Sequence, residues 1–234
     1  MLKLKTTDNI NNFINKNTFE RRSPMEWKTT TYTYELTKKY GLTNETIVVD
    51  GHILYRIIAI RSFGNIRSGD LGGFIESENN LSHEGSCWVG DDAKVFDDGW
   101  VCEDARVIEY AWVYGNAVVG GRSAVHEYAK IYGNARIRSR ASIYGHAQIF
   151  DNAKIDDCAA ISGRSNVYGD AKVYGNAVIF NDVHICAYAK VFGFTVVCEN
   201  ACICGYALVK GVAYIHGSAW VGGHTIMSEG YRHD

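Results

Sequence analysis

Proline is nearly absent from this chain: one in 234 residues, Pro24. A proline deletes a ladder hydrogen bond, so beyond residue 24 the backbone is open to strand pairing throughout. Long apolar runs are missing as well, and no stretch approaches the length that spans a bilayer as a helix; no membrane is expected among the partners. Neither sign of charge prevails, since 24 Lys and Arg against 26 Asp and Glu leave a net charge of −2. No overall field therefore draws the chain to nucleic acid or to an anionic surface. The seven cysteines, Cys87, Cys102, Cys158, Cys186, Cys198, Cys202 and Cys204, are odd in number and unevenly spaced. They do not make a disulfide framework and read as reduced thiols in a cytosol-like compartment. The segment from Met1 to Phe19 lacks the apolar core of a secretory signal.

What is present is a period. From Val89 to Ile226 the sequence repeats every six residues, with no insertion or deletion, as in Val-Tyr-Gly-Asn-Ala-Val from Val113. All 23 aliphatic positions from Val89 to Val221 are Val or Ile, and the small position is Ala except at Gly99, Ser123, Ser165, Val183, Thr195 and Thr225. A fixed short period marks a solenoid. In a strand, alternate side chains share a face, so the Ala and Val positions point inward while the residues between point outward. Gly-Asn then turns a corner. Three such sides close a triangular coil of eighteen residues, giving about 7–8 stacked coils. Four regions follow: a polar tail or short helix over 1–25, a β cap and transition over 26–88, the β-helix over 89–226, and a tail over 227–234. Within the cap, Tyr32-Thr33-Tyr34 alternates, and Asp50-Gly51 between two apolar runs signals a hairpin.

The eighteen-residue coil sorts outward residues into columns. The first face carries an aromatic ladder of Phe96, Tyr114, Tyr132, Phe150 and Tyr168, a cross-strand stack or a platform for a partner. The second carries a basic stripe, Arg136, Lys154, Lys172 and Lys190, with Arg138, Asp156 and Lys210 in the adjoining column. Neighbouring like charges at strand spacing repel by roughly 0.9 kcal/mol even at the dielectric of water. That cost has no folding rationale, Asp156 offsets it only in part, and an anionic partner would offset it better. The third face is nearly neutral, and Val178, Phe180, Val196, Cys198 and Tyr214 make an apolar patch of the kind that marks an interface, here for a dimer or trimer.

Candidate chemistry is thinner. Asp91, Asp92, Asp97, Asp98, Glu103, Asp104 and Glu109 look like a metal site in linear sequence, but the period spreads them over successive corners as a solvated ring. His126 and His216 share a column five coils apart, whereas His146, His184 and His224 lie in others; no pair has zinc-ligand spacing. Cys186, Cys202, Cys204 and His184 lie near one another on the first face, although tetrahedral closure from one flat face is awkward. No catalytic residue, metal or cofactor is assigned.

The block Gly69-Asp70-Leu71-Gly72-Gly73-Phe74-Ile75-Glu76-Ser77, then Asn80-Leu81-Ser82-His83-Glu84-Gly85, then the Tyr-Gly-Asn-Ala units, resembles hexapeptide-repeat proteins of phages, prophages and low-GC bacterial genomes. The resemblance spans about residues 38–226. It implies an all-β fold, the left-handed parallel β-helix, and carries no catalytic residues with it. The prism is also similar to hexapeptide acyltransferases and gamma-class carbonic anhydrases. The former use a histidine base, often near a loop interrupting a coil; no coil is interrupted here, which leaves His126 or His146 as the only candidates. The phage setting implies a non-catalytic binding protein in the bacterial host cytosol. Its expected partner is a host protein or protein–nucleic-acid complex, and its expected role is to inhibit a nucleic-acid-targeting defence complex, as anti-CRISPR proteins do. The alternatives are an acyl-CoA-dependent acyltransferase and a structural or virion-associated protein.

Overall fold

The computed structural model describes residues 38–233; the region 1–25 and the Tyr32-Thr33-Tyr34 alternation lie outside them. Strand β1 (Tyr40–Val49) pairs antiparallel with β2 (His52–Ala59). The turn between them has Asp50 at φ 50° and Gly51 at φ 91°, the pair of positive values that a two-residue type I′ hairpin requires. Strand β3 (Leu71–Ile75) pairs antiparallel with β2 on one side and parallel with Lys94–Val95 on the other. It is the point at which the cap becomes the solenoid.

Beyond β3, two-residue strands recur every six residues, each pairing in parallel with the strand one coil on. They form three sheets of eleven, nine and eight strands, the largest including β1 and β2. The fold is an all-β parallel solenoid of about nine turns, more than the 7–8 expected. The first coil begins before Val89: β3 forms its first side, Leu81 bridges Val101 in parallel on the second, and Trp88–Val89 forms the third. Its hexad is hidden because one corner is a 3-10 turn, Glu78–Asn80, capped by Ser77. Asn80 Nδ2 donates to the carbonyls of Asp97 and Gly99, both at 2.9 Å, tying that turn to the next coil. At the other end, Ile226–Met227 and Tyr231–Arg232 continue the sheets. Residues 227–234, expected to be a tail, thus include a strand. Tyr214 pairs with Tyr231, seventeen residues on, because the last corner is one residue short.

The aliphatic column is buried from Val89 to Val221. Replacing one of its isoleucines by alanine typically costs about 2–5 kcal/mol. Ser123 and Thr195 sit buried at small positions because each hydroxyl donates 2.7 Å to a carbonyl three residues back, which removes the penalty for burying it.

The corners explain the acidic residues. Among the described residues, the non-glycine residues at positive φ other than Asp50 all occupy the first corner position of a hexad. Eight are acidic: Asp91, Asp97, Glu103, Glu109, Glu127, Asp151, Asp157 and Glu199. Each carboxylate accepts the backbone N–H of the corner residue one coil on, at 2.7–3.1 Å in the seven bonds of ordinary length. The left-handed conformation costs a side-chain-bearing residue about 1–2 kcal/mol; a hydrogen bond to a charged group is worth a comparable amount. For Asp91, Asp97, Glu103 and Glu109 the expected solvated ring is corrected: their carboxylates, like the other four, are structural staples between coils.

Candidate binding surface

The second sheet holds Arg136, Lys154, Lys172 and Lys190 in direct register, each on a two-residue strand that points its partner Ile or Val into the core. All four are exposed. Arg138 is exposed in the adjoining column, and Lys210 is half-buried. None of the six makes an ion pair or side-chain hydrogen bond among the described residues. Asp156, expected to offset them in part, accepts from the Ser139 hydroxyl and, at 2.8 Å, from the Asp157 N–H and makes no ion pair with them. Asp151 and Asp157 flank the stripe but are committed to the N–H groups of Gly169 and Gly175, at 3.1 and 3.0 Å.

An aromatic shelf beside the lysines was missed by sequence reasoning. Tyr188, Tyr206 and His224 stack in the corner column at 4.9 and 5.0 Å, with rings within 6° of parallel. Their spacing of eighteen residues was the available signal, but the column sort covered only faces and left out corners. Lys154, Lys172, Lys190, the three rings, Asn152, Asp170, Leu208 and Ile226 together line a groove of about 670 Å³. Along one wall Lys154, Lys172 and Lys190 precede Leu208 and Ile226, and across the groove Asn152 and Asp170 precede the three rings. Its C-terminal end is apolar, with Ile226 67% exposed.

The other expected surfaces fare differently. The first-face ladder stacks as expected, at 4.9–5.0 Å from Phe96 through Tyr114, Tyr132 and Phe150 to Tyr168. Its start is no platform: Phe96 is buried with Leu54 and Phe74 under the hairpin. Burial pushes the Tyr114 hydroxyl up to about 12. The cations of this face lie over Trp112, Lys130 at 4.6 Å and Lys94 at 5.6 Å from the ring. On the third face Val178, Val196 and Tyr214 are in register. Only Val178 is well exposed, at 39%; Phe180, Val196 and Tyr214 are half-buried, and Cys198 is buried against the Tyr214 hydroxyl at 3.5 Å. The patch is smaller than expected because neighbouring side chains cover one another.

The histidines disperse. His126 stacks on Tyr144, His146 on Tyr128, and His216 lies against Tyr214. Cys186, Cys202, Cys204 and His184 are not brought together as a ligand set. Burial raises the Cys186 and Cys202 thiols, the latter to about 11. The one such set among the described residues is His52, Glu76 and Asp97, with ligand-type atoms within 4.8 Å. Sequence reasoning missed it because the hairpin brings His52 to the first coil. The His52 ring nitrogens lie 3.0 Å from Glu76 Oε1 and 3.3 Å from Asp97 Oδ1. Those carboxylates' other oxygens accept the N–H groups of Asp97 and Gly115 at 2.8 and 3.1 Å. An imidazolium clamped between two carboxylates fits this geometry, and the Glu76 hydrogen bond raises the His52 pKa.

No helix among the described residues is long and apolar enough to cross a membrane. No family model and no curated protein matches the chain.

Proposed function

We propose that this chain is a non-catalytic binding protein whose rigid solenoid engages a host macromolecule through the second sheet. In this reading it acts in the cytosol of a bacterial host as a phage-encoded inhibitor of a nucleic-acid-targeting defence complex. The observation that carries the reading is the in-register row Arg136, Lys154, Lys172 and Lys190, without an internal carboxylate partner among the described residues. A row of like charges in register, left unmatched on a scaffold this regular, is costly unless something external matches it. The Val178, Val196 and Tyr214 column, although only Val178 is well exposed, is the face on which a dimer or trimer would form, displaying two or three such rows at once.

The test is affinity capture from bacterial lysate with the wild-type chain and with the triple reversal Lys154→Glu, Lys172→Glu, Lys190→Glu, the solution mass being measured alongside. The reversal should abolish capture while leaving the melting temperature within a few degrees of wild type. Undiminished capture by the reversed protein would sink the reading.

A further inference from the structure

We infer that the groove beside the lysine row takes a short single-stranded nucleic acid, its phosphates along Lys154–Lys190 and a base against His224. The inference rests on the basic-row reading above and names the ligand class for that same surface. Three features of the groove select it.

The first is the cationic wall. Lys154, Lys172 and Lys190 sit one coil apart, about 4.8 Å, and Arg136 extends the row in register. A straight row suits an extended strand, whereas the phosphates of a duplex curve away from it. The second is what the acids do. Asp151, Asp156 and Asp157 are turned to backbone and hydroxyl donors, so Asp170 is the only carboxylate lining the groove. Three lysines against one aspartate leave the groove lining net positive although the whole chain is nearly neutral. The third is the end of the aromatic shelf. Within the stack each ring covers its neighbour, but among the described residues His224 is the last ring of the ladder. Its outer face and the neighbouring Ile226 and Leu208 make an apolar seat next to the cations. A plain polyanion has nothing to place there. An acidic peptide would satisfy the lysines but leave the flat ring face without a matching plane. A nucleotide carries both groups, and base stacking on aromatic side chains is tolerant of sequence.

The experiment is fluorescence anisotropy of a labelled oligothymidylate of about ten nucleotides. Its competitors are a duplex of the same length, inorganic polyphosphate and poly-glutamate. Wild type should bind the single strand more tightly than any competitor. Four phosphate contacts give a salt slope of about −3, and Lys154→Gln, Lys172→Gln, Lys190→Gln should flatten it by about 2. His224→Ala should weaken binding about 5-fold or more and leave the slope unchanged, a split that a general loss of folding would not produce. All these residues are exposed, and a thermal melt verifies each variant. Equal binding of polyphosphate together with a neutral His224→Ala would overturn the inference in favour of a simple anion surface. Tighter binding of poly-glutamate would overturn it in favour of a protein ligand. If oligonucleotide binding is absent while lysate capture still depends on the three lysines, the groove inference fails and the binding-protein reading survives. If neither depends on them, both fail.

Discussion

Lys39 and Lys172 carry the same ammonium into opposite surroundings. Lys39 is buried under the cap, where Nζ donates to the Cys87 carbonyl at 2.8 Å and to those of Glu84 and Gly85 at 3.3 Å. It also lies 3.1 Å from the Cys87 thiol. Burial pulls its pKa down and pushes that of Cys87 up. Lys172 stands exposed in the middle of the basic row with no partner among the described residues. The cap lysine is used within the chain, while the second sheet leaves its cations unassigned. The lesson is that charge in a repeat protein acquires meaning only once internal uses have been subtracted.

Removing the cap lysine should have the largest effect. Lys39→Met strands three carbonyls of the first coil, and a buried group without its partner costs about 1–3 kcal/mol. A loss of about 2–4 kcal/mol in chemical denaturation is expected. Lys172→Met should stay within about 0.5 kcal/mol of wild type and be felt in binding alone. Equal stability losses for the two would dissolve the contrast.

The corner staples lie between these extremes. Asp151→Ala deletes the bond to the Gly169 N–H and keeps a Cβ at φ 56°, so about 1 kcal/mol should be lost. Asp151→Gly should lose less, because glycine adopts that φ without strain. Alanine proving the milder change would refute the staple.

The smallest effect is one of pH at the cap. The His52 pKa is raised by the Glu76 bond and the Glu76 pKa is lowered by His52, with Asp97 and Asp50 adding to the negative field around the imidazole. The histidine contribution is fully present below the ordinary imidazole value, about 6.5, and fades as pH rises through the elevated one. The glutamate contribution is present above the ordinary carboxylate value, about 4.3, and fades as pH falls through the depressed one. Hydrogen exchange of β1 and β2 should therefore be slowest, after correction for intrinsic rates, between about pH 4.3 and 6.5. The alkaline loss of protection should vanish in His52→Gln; a persistent loss would assign the effect elsewhere.

Much of this was legible in advance. The hexad placed every inward Val and Ile, the basic row and the Phe96–Tyr168 stack, because column membership is arithmetic once the coil has eighteen residues. The first coil escaped notice because the 3-10 turn at Glu78–Asn80 replaces a hexad corner. The acidic corners were assigned to solvent because their hydrogen-bond partners lie eighteen residues away, on the next coil. His52 and Lys39 reach their partners across the cap, a long-range docking that no period encodes.

The sequence by itself determined the solenoid, its core column and which residues share each face, since a two-residue alternation and a six-residue repeat leave no other place for them. Only the tertiary structure decided which polar groups are spent inside. A carboxylate's orientation depends on the coil above it, and a lysine's burial depends on the hairpin folded over it. That difference leaves Lys154, Lys172 and Lys190, beside Tyr188, Tyr206 and His224, facing solvent with their charge unmatched.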